Sequence, residues 1–222
     1  MRYVESMGVA SEMKSLQRSV LWLVLSLGFA PVGLTAEQAV GAPAEPGASA
    51  ADPNAKDRAY FTDLELVTQD GQTVRFFTDV LEDQVVLISF IFTNCGNACT
   101  LQTRALAQVA RILGDEFGKS VRFVAISIDP EHDTPAAMKE YAGKHGADRA
   151  GWLFLTGDPA NVNQVVKRLG QYSPDVEAHS TLLLAANVKE KHWVKLQPNL
   201  APQGIAERLR ELMGTGLTSV GR

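Results

Sequence analysis

Cysteine is scarce in this chain of 222 residues. There are two, too few for a multi-bridge disulfide scaffold or for a zinc ribbon that needs four thiolates. A basic surplus is missing as well. Lys and Arg number 21 against 25 Asp and Glu, a formal net charge of −4. Phosphate binding needs clustered cations, so nucleic acid is excluded as a main partner. No repeat at solenoid or propeller period is visible. At 45% hydrophobic and 21% charged, the composition is globular and excludes wholesale disorder. One domain of ordinary size with extra segments is the expectation.

The extra segments lie first in the chain. Lys14 and Arg18 precede an uncharged stretch from Ser19 to Ala36, densest at Val20–Leu25. A basic flank, a short apolar run and a tail of small residues form an export signal. The run also reaches the lower limit for crossing a bilayer, so an uncleaved anchor is the rival reading, and an N-terminal core helix the bland one. With the cations before the apolar run and none after it until Lys56, the body of the protein is expected to be exported. Residues 37–58 are rich in Ala, Pro and Gly and read as a flexible linker. The folded domain is expected over 59–214, with 215–222 as a disordered tail.

Within the domain, residues 85–92 and 121–128 are apolar, β-branched runs without alternation, the pattern of strands covered on both faces of a parallel sheet. Between them Leu101, Ala105, Leu106, Val109, Ile112 and Leu113 share one helical face, and Gly114 is a stop. Strand, helix, strand is a right-handed βαβ unit. A second helix starts at Asp133-Thr134-Pro135, where Asp or Thr caps and Pro fits the first turn. It carries Met138 and Tyr141 towards the core. Trp152–Leu155 is a third strand, and Asp158-Pro159 opens a helix that ends at Gly170. Thr181–Ala185 and His192–Leu196 read as a hairpin and Pro202–Met213 as a last helix. Leu64–Val67 and Val74–Phe76, around Asp70-Gly71, read as a leading hairpin. This order predicts an α/β protein of thioredoxin-like fold: a central mixed sheet flanked by helices, with an N-terminal hairpin.

Both cysteines fall at the carboxyl end of the first buried strand, where open α/β sheets place their sites. Cys95 is expected at the start of the helix and Cys99 one turn on, sharing a face with Cβ atoms about 5–6 Å apart. A modest backbone adjustment closes that gap, so the pair can exist as dithiol or disulfide. Helix-terminal N–H groups favour a thiolate at Cys95, and two thiolates form a soft clamp suited to Cu(I). A structural disulfide is the alternative, weakened because so short a loop removes little chain entropy. Among the four histidines, His179 precedes a core strand, in a loop that a thioredoxin-like layout brings beside the cysteine turn. It would complete a Cys, Cys, His set. His132, His145 and His192 read as solvated, and Asp129 as a turn cap or a group that orients a ligand.

Three motifs in order, Phe92–Cys99, Ser127–Pro135 and His179-Ser180-Thr181, resemble the Sco (SenC) family from about Phe61 to the last helix. The resemblance implies a thioredoxin-like domain, usually membrane-tethered, facing the periplasm or the mitochondrial intermembrane space. It implies one copper ion per domain, Cu(I) and in some states Cu(II), on Cys95, Cys99 and His179. It further implies assembly of the binuclear copper centre of a respiratory oxidase or reductase, with that enzyme's copper subunit as recipient and a copper donor or thiol reductant as second partner. The chain departs from the family in carrying Gly96 and Thr100 where proline usually follows each cysteine. The competing expectation, from the enzyme class, is a periplasmic thiol–disulfide oxidoreductase with Cys95 as nucleophile and Cys99 as resolving thiol. A thiol peroxidase is a third reading.

Overall fold

The two apolar runs pair as parallel neighbours, and the rest of the fold is built around them. The computed structural model describes residues 52–214. The expected export signal or anchor, most of the linker and the tail at 215–222 lie outside the described residues. Among the described residues no helix is long and apolar enough to cross a membrane.

The elements are α1 (Ala55–Phe61), β1 (Glu65–Thr68), β2 (Thr73–Arg75), a π-helical turn (Phe76–Leu81), β3 (Val85–Ile91), α2 (Ala98–Leu113), β4 (Arg122–Ser127), α3 (Pro135–Lys144), β5 (Trp152–Thr156), α4 (Pro159–Arg168), β6 (Leu183–Asn187), β7 (His192–Leu196) and α5 (Pro202–Met213). One seven-stranded sheet has the order β2-β1-β5-β4-β3-β6-β7. β3, β4 and β5 are parallel, and β6 runs antiparallel to β3 in register Ile88↔Leu184. The leading hairpin joins the sheet through β1 against β5, also antiparallel. The sheet is therefore mixed and the fold thioredoxin-like, as the element order predicts.

The unbroken apolar runs are explained by cover on both faces. Along β3, Leu87 and Ile91 enter a core with Leu106, Val109, Met138, Tyr141, Ile205 and Leu209 from α2, α3 and α5. Their neighbours Val86, Ile88 and Phe90 point the other way, to Phe76, Leu81, Val162, Val165 and Val166. Each such side chain fully withdrawn from water contributes about 1.5–3 kcal/mol. Thr134 caps α3 by accepting from the Ala137 N–H, and Asp158 caps α4 by accepting from Ala160 and Asn161. Both helices begin with proline, as expected.

Several expectations are corrected. Residues 52–58 do not belong to a linker: Ala55–Phe61 is helical, tied down by Arg58, which pairs with Asp52, Asp63 and Glu82 and contacts Thr78. Phe61 stacks on Trp193 at 4.8 Å, fixing the helix to β7. Leu101 is 57% exposed rather than in the core, because the buried face of α2 runs instead through Gln102, Thr103, Leu106 and Val109. The sixth strand starts at Leu183, two residues late, since the Thr181 carbonyl is held by the Gln102 side chain at 2.6 Å.

Candidate metal and dithiol site

β3 delivers the chain to the cysteine turn at its carboxyl end, on the same edge as the end of β4. Cys95 is not the first residue of a helix. The N–H of Cys95 donates to the Phe92 carbonyl (3.1 Å), closing a turn, and α2 begins only at Ala98 with Asn97 as N-cap. Asn97 makes no side-chain cap bond. The acceptor is the Cys95 sulfur, which takes the Cys99 N–H at 3.3 Å. Cys95 thus does the work of a cap from outside the helix, and the expected shared helix face is replaced by a turn folded over the first helical residues. Both cysteines are free thiols.

Cys95 is half-buried at the surface, whereas Cys99 is 1% exposed. Burial, reinforced by the neighbouring Cys95 sulfur, pushes the Cys99 thiol up to about 12. The two thiols therefore differ in access and in chemistry.

His179 meets them from the loop between α4 and β6. Its Nε2 lies 3.8 Å from the Cys99 sulfur, and its ring packs edge-on against Phe92 with centroids 5.6 Å apart. Its Nδ1 is 2.7 Å from the Val176 carbonyl. A carbonyl only accepts, so Nδ1 carries a proton and Nε2 is the ring nitrogen that faces the Cys99 sulfur. Gln102, reaching from α2 to the Thr181 carbonyl, holds this loop against the cysteine helix.

Among the described residues no group of three or more His, Cys, Asp or Glu side chains is already gathered closely enough to hold a metal ion. The site is a chain of contacts, Cys95 to Cys99 to His179. A soft ion bonded at about 2.3 Å to sulfur and 2.0 Å to nitrogen, at a trigonal angle, sets the two donors about 3.7 Å apart. The observed separation agrees, and two sulfurs with one imidazole is the donor set that suits Cu(I). The same pair of free thiols can also exchange with a disulfide.

The remaining candidates fall elsewhere. The Asp129 backbone carbonyl accepts from the N–H groups of His132 and Asp133, and the Asp129 carboxylate lies 2.8 Å from His132 Nδ1. That contact raises the His132 pKa. His132 and His192 are exposed, as expected. His145 is not: it is half-buried against Tyr141 (4.5 Å), its Nδ1 is buried without a hydrogen-bond partner, and burial lowers its pKa.

The sequence leaves the cap of α3 to Asp133 or Thr134 and gives Asp133 no other role. Thr134 caps. The Asp133 carboxylate, 1% exposed, accepts from the Thr93 N–H (3.0 Å), the Thr93 hydroxyl (2.6 Å) and the Ser127 hydroxyl (2.6 Å). Its own carbonyl accepts from the Thr156 hydroxyl at 2.6 Å. One buried group thus fastens the turn before Cys95 to the ends of β4 and β5.

The sheet order and the two free thiols at its edge, faced by an imidazole, define a thioredoxin-like dithiol protein. The SCO1/SenC family profile matches residues 52–214, and the chain belongs to that family. It is 29% identical over 158 residues to an SCO2-like protein of Rickettsia conorii, covering 67% of this chain and 74% of that one. It is 36% identical over 89 residues to an SCO1 protein homolog of Bacillus subtilis, covering 40% of this chain and 45% of that protein. The match thus spans less than half of the Bacillus relative. The solved structure of Bradyrhizobium japonicum ScoI with copper bound is similar at a TM-score of 0.56 and 26% identity, over 67% of this chain and 96% of that one.

Proposed function

We propose that this protein is an exported copper-binding assembly factor, carrying one Cu(I) as cargo on Cys95, Cys99 and His179. The recipient is the binuclear copper centre of a respiratory oxidase or reductase. Family membership and the likeness to a copper-bound relative support this reading. The observation that carries it is the 3.8 Å approach of His179 Nε2 to the Cys99 sulfur, with Nδ1 committed to a carbonyl. Residues 1–36 act as export signal or anchor, placing the domain on the periplasmic side of the inner membrane. Copper titration of the reduced protein beside His179→Ala tests the ligand set. Wild type should bind about one equivalent and the variant should bind more weakly with an altered spectrum; identical affinity and spectrum would refute the assignment.

Two free, adjacent thiols of unequal burial favour a second reading, that of a periplasmic thiol–disulfide oxidoreductase. The readings separate on His179. Disulfide exchange needs both cysteines and tolerates His179→Ala, whereas copper retention needs all three side chains. Redox state gates loading in either case, because a closed disulfide offers no thiolate to metal.

A further inference from the structure

Two grooves that share His145 form a trough along α2 and α3, beginning at Thr93 and Asn94 just before Cys95. The near end is a groove of about 380 Å³ lined by Thr93, Asn94, Tyr141, Lys144 and His145. Its one carboxylate, Glu140, is already paired with Lys144 at 2.6 Å. The far end, about 330 Å³, is lined by Arg104, Arg111, Arg149 and again His145, which joins the two. The three arginines are exposed, and none pairs with a carboxylate among the described residues. Only Arg111 has a protein acceptor, the Ala107 carbonyl at 3.2 Å. In a chain of net charge −4, this is a local concentration of unpaired positive charge. The exposed Leu101 belongs to the same surface: Leu101, Arg104 and Arg111 fall on one face of α2, and Leu101 is two residues from Cys99.

We propose that this trough docks an acidic segment of the protein partner that exchanges cargo or electrons at Cys95, with Leu101 as the apolar contact nearest the turn. The inference rests on the reading given under Proposed function and adds the partner's chemistry to it. Guanidinium forks match carboxylates in bidentate geometry. Each exposed pair contributes little by itself. Several charges of one sign in a concave channel act mainly by steering encounter, raising the association rate at low salt. A planar anionic bilayer lying on this face would cover the turn that a partner must reach.

The test uses the reduced full chain and short peptides whose single cysteine is activated as a mixed disulfide with thiopyridine. The Cys95 thiolate attacks the peptide sulfur, a Cys95–peptide disulfide forms, and thiopyridine leaves with the electron pair and takes up a proton. Cys99 then attacks Cys95, closing the intramolecular disulfide and releasing the peptide thiol. The protein loses two electrons, and the activated disulfide gains them as two thiols. At low salt a peptide with an Asp/Glu tail should release thiopyridine about tenfold faster than one with a Ser/Gly tail, the gap closing near 1 M salt as the Debye length falls to about 3 Å. Arg104→Gln/Arg111→Gln/Arg149→Gln should erase the preference while reacting normally with uncharged dithiodipyridine. The matching Arg→Glu triple variant should prefer a Lys/Arg tail. Equal rates for acidic and neutral tails, or a preference that survives either variant, would overturn the docking surface while leaving the dithiol intact. Failure of every peptide to react at Cys95 would overturn the site reading and the docking surface together. Arginine-dependent sedimentation with phosphatidylglycerol vesicles, without a tail preference, would overturn the protein partner in favour of a membrane.

Discussion

Replacing Asp133 with alanine removes the acceptor of three hydrogen bonds and leaves three donors in place. The Ser127 hydroxyl is completely buried, and the Thr93 N–H and hydroxyl lie in a half-buried turn. A buried donor stripped of its partner costs about 1–3 kcal/mol, and bonds to a charged acceptor lie at the upper end. Thr93 can turn its hydroxyl towards water, which recovers part of its share. The sum expected is about 3–4 kcal/mol, a large fraction of a typical total of 5–15 kcal/mol. Urea unfolding followed by the fluorescence of Trp152, itself buried, is the assay. With a slope of about 2 kcal/mol/M, the midpoint should fall by about 1.5–2 M. Asp129→Ala is the comparator, because its carboxylate meets only exposed His132 and should cost under about 1 kcal/mol. A loss below about 1 kcal/mol for Asp133→Ala, or a larger loss at Asp129, would refute the reasoning.

Four further outcomes are expected. Iodoacetamide at neutral pH should label Cys95 well before Cys99, whose thiol is buried and pushed up to about 12; peptide mapping that finds Cys99 labelled first contradicts the site's asymmetry. The Asp129–His132 pair raises the histidine's pKa, so its stabilisation is present below about pH 6.5 and is lost as pH rises through the folded value. Asp129→Asn should move the NMR titration midpoint of His132 downwards. His145 has the opposite sign: burial favours its neutral ring, so stability falls as pH drops below about 6.5, and replacing His145 should flatten that limb. Finally, Gly151 sits at φ +92° with a Cβ that would lie 2.4 Å from the Gly118 Cα. Gly151→Ala should cost about 3 kcal/mol and lower Tm by about 6–12 °C; an unchanged calorimetric midpoint would show that the backbone there yields freely.

The parallel core was legible because its cause is local. Residues 85–92 and 121–128 must be apolar on both sides when helices cover both faces, and that pattern is written in the residues themselves. The caps at Thr134 and Asp158 were legible for the same reason, each being a side chain serving its own helix. What escaped depends on partners distant in sequence. Helix Ala55–Phe61 buries no residue of its own and is held by Arg58 and Phe61 reaching Glu82 and Trp193. Asp133 looks like any N-terminal cap until Thr93, forty residues away, is seen to need an acceptor. His179 could be singled out only through the fold and the family resemblance, because nothing in its own neighbourhood marks it. Leu101 misled because a helical face was read from apolar letters alone, whereas α2 buries Gln102 and Thr103 to serve a loop and a tyrosine.

The sulfur of Cys95 also completes the first turn of α2, and this ties the helix to the state of the thiol. Whatever takes that sulfur's electrons, a metal or a second sulfur, competes with a backbone amide for them. The amide proton of residue 99 is therefore a spectator with a view of that sulfur: its exchange with solvent and its chemical shift respond to any change in what the sulfur is bonded to. Helix α2 also carries Arg104 and Arg111, so slackening of its first turn reaches the strip of surface that a visitor touches.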